Sequence, residues 1–176
     1  MQNTIEKKIF VIAGPNGAGK TTFATEFLPN EADCPIFVNA DLIATGLNPF
    51  HPSKITVKAG RLMLRQIYEH VQKGESFAFE TTLSGRSYTR WIPRWREQGY
   101  RVKLFFLCLP NPETAIARVA QRVSEGGHGV PEAIIRRRFD AGWDNFVNIY
   151  RDLVDEWALY DNSGEEPKLL KEMSQI

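Results

Sequence analysis

Five short apolar runs recur along the chain, and segments with helical spacing separate them. Each run is continuously apolar rather than alternating, which is typical of strands buried on both faces of a parallel sheet. The runs lie at residues 9–13, 36–38, 77–79, 102–109 and, more weakly, 157–160. Alternation of strand and helix over the whole length predicts a three-layer α/β/α fold, with a mainly parallel five-stranded sheet and right-handed crossovers.

Helices are predicted in the segments between these runs. They are expected at 20–28, 53–72, 87–98 and 112–123, and from Pro131 onward. Gly74 supplies a stop for the longest helix, and Pro93 indicates a kink or a later start in the next one. The segment 124–130 is rich in glycine and is expected to form a mobile loop. The last ten residues are expected to be peripheral or frayed.

Composition and charge narrow the class of protein. The 176 residues suit a single domain, and a formal net charge of +1 gives no general attraction to nucleic acid or an anionic membrane. Cys34 and Cys108 are isolated thiols, which suit a reducing compartment. The apolar run at 9–13 is too short for a signal peptide or a membrane span. We therefore expect a cytoplasmic protein with neither a nucleic-acid nor a membrane partner.

A phosphate-binding motif follows the first apolar run. The motif G-x-x-x-x-G-K-[ST] is met by Gly14, Pro15, Asn16, Gly17, Ala18, Gly19, Lys20 and Thr21. Its backbone N–H groups would cradle the phosphates of ATP, Lys20 would reach the β- and γ-phosphates, and Thr21 would bind Mg²⁺. Thr22, which directly follows the motif, is also predicted to bind the nucleotide. A glycine-rich turn that only caps a helix is the alternative, and the buried strand before the motif disfavours it.

Two acids follow inner strands and are candidates for the chemistry. Asp41 comes after the second apolar run and Glu80 ends the third. Ligands of open α/β sheets bind beyond the carboxyl ends of the strands, so both acids should face the phosphate loop. Phosphoryl transfer to a hydroxyl needs a carboxylate to take the proton and a metal to bridge the phosphates. The alternatives are a helix N-cap for Asp41 and an arginine pair for Glu80.

Arginines beside the glycine-rich loop indicate a lid that closes over the nucleotide. Arg118 and Arg122 are four residues apart on one helix and therefore share a face. Beyond the loop lie Arg136, Arg137 and Arg138, of which Arg136 is included among the nucleotide-binding candidates. We expect a helical lid over about 118–138 whose arginines neutralise charge on the transferred phosphoryl group. A solvated helix face is the alternative for any single arginine. His128 is a lone histidine, better suited to a lid-tip contact than to catalysis.

Other nucleotide-binding classes lack support. The base-reading Asn-Lys-x-Asp of small GTPases is absent, and the run at 102–109 does not end in the acid that motor ATPases use for their metal. A small-molecule kinase is therefore the leading hypothesis. A nucleotide-gated switch without catalysis stays open as an alternative.

Taken together, the motifs resemble the zeta toxin family, the P-loop kinases of bacterial toxin–antitoxin systems. The segments that carry the resemblance are Ala13–Thr22, Phe37–Ala44, Ala59–Arg61, Phe79–Arg86 and Arg122–Pro131. They occur in the family's order and cover most of residues 9–164. The Asn-Ala-Asp, Glu-Thr-Thr and Gly-Gly-His-x-Val-Pro pieces make the resemblance more specific than the phosphate loop does.

The resemblance implies ATP-dependent phosphorylation of the 3′-hydroxyl of the amino sugar in UDP-N-acetylglucosamine or a related UDP-sugar, with an antitoxin protein as a partner. Asp41 matches the family's catalytic base, Glu80 its substrate-pocket acid, and Arg118 falls near a phosphate-contacting arginine. Where the family has a second such arginine this chain has His128, so that role would pass to Arg122 or Arg136. The substrate-binding residues implied are Asn39, Asp41, Arg61, Glu80, Thr81, Thr82 and Arg86. Besides Thr21, Glu80 or Asp41 would hold Mg²⁺ through water.

A kinase acting on another hydroxyl is the second hypothesis. Its acceptor would be a sugar acid, an antibiotic or a polynucleotide 5′-end. The near-neutral net charge disfavours the polynucleotide, which needs many clustered cations. The basic residues between Arg86 and Lys103 keep that version open, and a solvated helix face is their alternative interpretation.

Overall fold

A six-stranded sheet forms the centre of the computed structural model, which describes residues 6–30, 32 and 34–174. Its strands are β1 (Lys7–Ala13), β2 (Phe37–Val38), β3 (Phe77–Thr81), β4 (Tyr100–Cys108), β5 (Glu156–Asp161) and β6 (Lys168–Ser174), in the order β2-β3-β1-β4-β5-β6. The first five strands run parallel, and β6 pairs antiparallel with β5. The predicted three-layer fold with a mainly parallel sheet is confirmed.

Six α-helices connect the strands. They are α1 (Lys20–Asn30), α2 (Ala40–Leu47), α3 (Thr56–Lys73), α4 (Trp91–Glu97), α5 (Pro112–Ser124) and α6 (Glu132–Asn148), with short 3₁₀ turns at Pro52–Ile55, Ser87–Thr89 and Tyr150–Asp152. Helix α4 begins at Trp91 rather than at residue 87, so the later start that Pro93 indicated is confirmed. The short helix α2 was not among the predicted helices. Its eight residues offer little more than two turns of periodicity, too few to separate a helix from the end of the preceding apolar run.

The end of the chain differs from the expectation. The last ten residues were expected to be peripheral or frayed, and residues 168–174 are peripheral but regular, because they form the edge strand β6. The sheet therefore has six strands and not the predicted five. Residues 175 and 176 lie outside the described residues. Every residue of β6 is exposed, so neither face of the strand is covered by a helix. The sequence pattern gave no apolar run there because neither face of the strand is buried.

Both faces of the sheet are covered, which explains the continuous apolar runs. In β1, Ile9 and Val11 pack in the cluster beneath α3 and α4, whereas Phe10 and Ile12 pack in the cluster beneath α1 and α5. A polar residue at any of these positions would be desolvated without a partner, at a cost of about 1–3 kcal/mol. Among the described residues, no helix is long and apolar enough to cross a membrane.

The strand register places the candidate chemistry at one edge. In the parallel pairing of β1 with β3, Ile12 is aligned with Glu80 and Ala13 with Thr81. The phosphate loop leaves β1 directly after Ala13, so it emerges beside the carboxyl end of β3. Helix α2 begins at the same edge, two residues after β2 ends. The fold therefore brings three separate segments of the chain together at one crevice.

Helix α6 lies directly on the segment that follows β3. A Cβ atom at Gly142 would collide with the carbonyl oxygen of Thr82, so only glycine allows this approach. Three residues further on, the buried side chain of Asn145 donates a 2.8 Å hydrogen bond to the carbonyl oxygen of Leu83. Leu83 itself has a φ of 54°, a left-handed backbone conformation. Gly142 and Asn145 therefore fix the position of α6 on the segment that follows β3.

Replacing Gly142 with alanine should destabilise the protein. The new methyl group meets backbone rather than a movable side chain, so we expect a loss of roughly 1–3 kcal/mol in the free energy of unfolding. Gly60 in α3 is the matched control, because nothing lies within 4 Å of a Cβ added there. Gly60→Ala should be neutral or stabilising by roughly 0.5–1 kcal/mol. Urea denaturation measures both changes, and equal stability of the two variants would contradict the close packing at Gly142.

Candidate active site

The phosphate loop packs closely against α5 and against the segment that follows β5. Gly17 and Gly19 have φ angles of 81° and 80°, the left-handed region that favours glycine. A Cβ atom on Gly17 would lie 2.8 Å from the carbonyl oxygen of Ala115 in α5, and one on Gly19 would lie 2.7 Å from Nδ2 of Asn162. Glycine is thus required at these positions both for backbone conformation and for space.

Asn162 holds the phosphate loop from the end of β5, which is two strands away from β1 in the sheet. It follows β5 directly, and its Nδ2 donates a 2.6 Å hydrogen bond to the carbonyl oxygen of Ala18. Its backbone N–H donates to the carbonyl oxygen of Cys108 at the end of β4. Sequence reasoning missed this residue. The polar Asp-Asn-Ser segment after the last parallel strand was the signal available for it.

Lys20 is a buried cation at the centre of the site. Its side chain is 5% exposed, and its Nζ donates a 2.9 Å hydrogen bond to the carbonyl oxygen of Pro15. Oε1 of Glu80 lies 3.5 Å from the same nitrogen. Burial lowers the pKa of the Lys20 ammonium, and the negative charges of Glu80 and Asp41 oppose that shift. The lysine is therefore held inside the loop, where further negative charge would favour its charged form.

Glu80 joins the phosphate loop to the start of α2. Its Oε2 accepts a 2.7 Å hydrogen bond from Oγ1 of Thr21 and another of 2.7 Å from Nδ2 of Asn39. The Glu80 side chain is 14% exposed and its ion partner in the described structure is Lys20, not the arginine of the alternative interpretation. Glu80 thus contacts three other residues that the sequence selected.

The carboxylate of Asp41 is free for chemistry because another residue caps its helix. Oδ1 of Asn39 accepts hydrogen bonds from the backbone N–H groups of Asp41 at 2.8 Å and Leu42 at 3.2 Å, which makes Asn39 the N-cap of α2. Asp41 occupies the first turn and its side chain is exposed to the crevice. The alternative interpretation of Asp41 as a helix cap does not agree with this geometry.

Two cavities meet at this crevice. The P-loop cavity has a volume of about 350 Å³, and besides the shared residues it is lined by Gly17, Gly19, Thr21, Thr22, Leu42, Thr45, Arg118, Arg122 and His128. The Tyr88 cavity has a volume of about 210 Å³ and is lined by Asn16, Ala40, Met63, Thr81, Thr82, Tyr88 and Arg138. Both cavities share a wall made of Lys20, Asn39, Asp41 and Glu80. Groups bound in the two cavities would meet across this wall.

Arg118 and Arg122 both line the P-loop cavity, as their spacing predicted. The Arg118 guanidinium donates to the carbonyl oxygens of Asn162 at 2.7 Å and Ser163 at 2.8 Å. The Arg122 guanidinium donates twice to the carbonyl oxygen of His128, at 3.0 and 2.6 Å. Each arginine therefore ties a neighbouring loop to α5 while its side chain faces the cavity.

Three other predicted arginines lie outside the two cavities. Arg136 donates to Glu113 at 2.6 Å and to Glu132 at 2.8 Å, which holds its guanidinium at the surface. Arg61 is exposed on α3, and Arg86 is exposed and donates a 3.3 Å bond to Asn145. The structure thus brings Thr81 and Thr82 to the crevice but leaves these arginines at a distance from the shared wall.

Arg138 and Tyr88 are site residues that sequence reasoning did not select. Nη1 of Arg138 donates a 3.4 Å hydrogen bond to Oδ1 of Asn16 in the phosphate loop. Burial lowers the pKa of the Arg138 guanidinium, and the charge of Asp41 opposes that shift. Burial also raises the pKa of Tyr88 to about 12, so its phenol is neutral at physiological pH. Arg138 is one of three consecutive arginines, and periodicity did not show which of them faces the site.

The oxygen atoms at the shared wall suit a magnesium ion. The Thr21 hydroxyl and the Glu80 carboxylate lie 2.7 Å apart, and the Asp41 carboxylate lines the same cavity. Mg²⁺ prefers hard oxygen ligands and is held by one or two carboxylates together with water and phosphate, rather than by a full protein cage. The described residues contain no cluster of three or more His, Cys, Asp or Glu placed to hold a metal, and this mode of binding needs none.

A phosphate loop between β1 and α1, with its lysine buried and with Glu80 of β3 and Asp41 after β2 at the same crevice, defines a kinase-like, ATP-using P-loop protein. The family model described as Zeta toxin matches residues 1–168, and the chain belongs to the zeta toxin family. A protein of uncharacterised function from Haemophilus influenzae is 30% identical over 135 residues, which are 77% of this chain and 94% of that protein. The resemblance expected from the sequence motifs is confirmed.

Solved structures show the same fold at low sequence identity. A chain of the AvrRxo1-ORF1:-ORF2 structure with ATP matches with a TM-score of 0.73 and 18% identity, over 98% of this chain and 60% of that chain. A chain from the PezAT chromosomal toxin–antitoxin system of Streptococcus pneumoniae matches with a TM-score of 0.71 and 17% identity, over 96% of this chain and 72% of that chain. This chain thus spans 60% of the length of its AvrRxo1 counterpart.

Proposed function

We propose that the protein is an ATP-dependent kinase that transfers the γ-phosphoryl group to a hydroxyl of UDP-N-acetylglucosamine or a related UDP-sugar. The single observation that carries the proposal is the wall shared by the two cavities, in which Asp41 and Lys20 face both sides. The triphosphate occupies the P-loop cavity, and the acceptor sugar occupies the Tyr88 cavity. Membership of the zeta toxin family supports the choice of a UDP-sugar.

Each residue of the wall has a part in the transfer. Asp41 accepts the proton of the acceptor hydroxyl, whose oxygen forms a bond to the γ-phosphorus while the bond from that phosphorus to the β–γ bridging oxygen breaks. ADP leaves with the bridging oxygen. Lys20 and the N–H groups of the loop hold the phosphates in line, and Arg118 and Arg122 stabilise the charge that spreads over the transferred group.

Thr21 and Glu80 would hold Mg²⁺, with Glu80 or Asp41 acting through water. When bound, the ion neutralises charge between the β- and γ-phosphates. Asn39 keeps the Glu80 carboxylate oriented toward Thr21 through its 2.7 Å bond to Oε2. The same side chain caps α2, so it fixes Glu80 and Asp41 relative to one another.

The segment 118–138 acts as the lid of a single kinase domain formed by residues 1–176. Arg122 is joined to the loop after α5 through the carbonyl of His128, so arginine and loop move together when the lid closes. Closure would exclude water from the γ-phosphate and so favour transfer over hydrolysis. We further propose that the protein acts as a toxin neutralised by an antitoxin, because a structure that it resembles, from Streptococcus pneumoniae, belongs to a toxin–antitoxin system. We propose the cytoplasm as its location, because isolated thiols such as Cys34 and Cys108 suit a reducing compartment.

Incubation of the purified protein with γ-labelled ATP, Mg²⁺ and a panel of acceptors tests the proposal. We expect label on UDP-N-acetylglucosamine, and phosphate at its 3′-hydroxyl by nuclear magnetic resonance. The panel includes a sugar acid, an aminoglycoside and a 5′-hydroxyl oligonucleotide. Label on one of these alone would keep the kinase but replace the acceptor. Binding of ATP with no transfer to any acceptor would reduce the protein to a nucleotide-dependent switch.

A further inference from the structure

Arg138 differs from the other arginines around the crevice in having no strong partner. Arg118 and Arg122 donate to backbone carbonyls, and Arg136 donates to two glutamates, each with at least one bond of 2.8 Å or less. Arg138 donates one long bond of 3.4 Å to Asn16, and no acid in the described part of the chain forms an ion pair with it. Most of its five N–H donors are therefore available to a ligand.

The position of Arg138 indicates what that ligand carries. Its guanidinium is half-buried and forms no ion pair in the described part of the chain, and the charge of Asp41 in the same cavity offsets only part of the cost of withdrawing this cation from water. A bound oxyanion would offset the rest. It lines the Tyr88 cavity and is absent from the lining of the P-loop cavity, where Arg118 and Arg122 lie. The free donors thus face the side of the shared wall on which the acceptor, and not the triphosphate, is bound.

We infer that Arg138 binds an oxyanion of the acceptor and so makes the enzyme selective for negatively charged acceptor alcohols. This inference rests on the proposed function. A planar guanidinium donates two parallel hydrogen bonds to a phosphate, diphosphate or carboxylate, a geometry that lysine does not reproduce. In a UDP-sugar the oxyanion is the diphosphate attached to the sugar ring. The uncharged sugar lacks it.

The packing of α6 explains why the guanidinium stays in this place. Gly142 and Asn145 seat the helix on the segment after β3, the same segment that supplies Thr82 to the Tyr88 cavity. Arg138 lies one turn before Gly142 and extends toward Asn16 of the phosphate loop. The arginine is thereby placed over the cavity by contacts that do not depend on the glycine-rich loop.

The test compares Arg138→Gln with Arg137→Gln, which changes an exposed neighbouring arginine. We measure kcat/KM for UDP-N-acetylglucosamine and for N-acetylglucosamine, and the Kd of a non-hydrolysable ATP analogue. Arg138→Gln should lower kcat/KM for the charged acceptor roughly 10- to 100-fold more than for the neutral one, the usual effect of losing hydrogen bonds to a charged group. The Kd of the ATP analogue for Arg138→Gln should change less than about threefold. For Arg137→Gln, which changes only the surface, kcat/KM for both acceptors and the Kd should also change less than about threefold.

Two results would overturn the inference. One is an equal loss for both acceptors; the other is a large rise in the Kd of the ATP analogue, which would assign Arg138 to the nucleotide. If the wild-type protein phosphorylates neither acceptor, the proposed UDP-sugar kinase fails on its own. The inference is then decided by adding inorganic pyrophosphate to the protein already saturated with the ATP analogue and measuring the affinity for pyrophosphate. Weaker binding by Arg138→Gln than by Arg137→Gln supports it, and equal or absent binding in wild type and variants refutes it.

Discussion

Lys20→Ala is expected to abolish phosphoryl transfer, with a fall in kcat/KM of roughly 10³-fold or more. Lys20 is a buried cation that belongs both to the phosphate loop and to the shared wall, with its Nζ 3.5 Å from Oε1 of Glu80 and 2.9 Å from the carbonyl oxygen of Pro15. Its removal takes away the charge that holds the β- and γ-phosphates in line with the acceptor oxygen. The same variant should relieve growth arrest when the protein is induced in bacteria.

Controls separate loss of chemistry from loss of folding. Alanine at position 20 also leaves Glu80 without its cation, so the variant Lys20→Met, which keeps the aliphatic volume, is measured alongside it. Thermal unfolding reports whether either variant remains folded. Lys58→Ala removes an exposed lysine of α3 and should leave transfer unchanged. A folded Lys20→Met protein that retains more than about a tenth of wild-type activity would refute the assignment.

Asp41→Asn is expected to lower kcat by roughly 10²- to 10⁴-fold while the Kd for the ATP analogue stays within about threefold. The amide has nearly the shape of the carboxylate but does not accept the hydroxyl proton. The start of α2 should be unaffected because Asn39, not Asp41, caps the helix. The two constants, measured by labelled transfer and by calorimetry, therefore report on proton transfer rather than on folding.

The control for this variant is Asp140→Asn, which changes an exposed acid of α6 and should leave both constants unchanged. Activity of Asp41→Asn within about tenfold of wild type would move the general base to Glu80 or to water. Glu80→Gln distinguishes these two. Glu80 accepts hydrogen bonds from Thr21 and Asn39, so the Glu80→Gln variant should chiefly raise the Mg²⁺ concentration that is needed for activity.

The sequence alone determined the layered α/β fold, the position of the phosphate loop and the family. A strand covered on both faces has to be apolar throughout, so the runs at 9–13 and 102–109 were recognisable without any knowledge of their neighbours. The phosphate loop is equally local, because its glycines and lysine act within eight consecutive residues. Glu80 could be placed at the crevice from its position at a strand end, since parallel strands bring their carboxyl ends to one edge.

Tertiary structure decided which polar side chains meet. Arg136 and Arg138 are two residues apart, yet Arg136 pairs with surface glutamates whereas Arg138 reaches Asn16 in the phosphate loop. Asn162 supports the phosphate loop from a position 144 residues away in the chain. A long side chain can reach several partners, and the packing angle of its helix selects among them. That angle depends on contacts such as Gly142 against Thr82, which join segments far apart in sequence and leave no periodic signal.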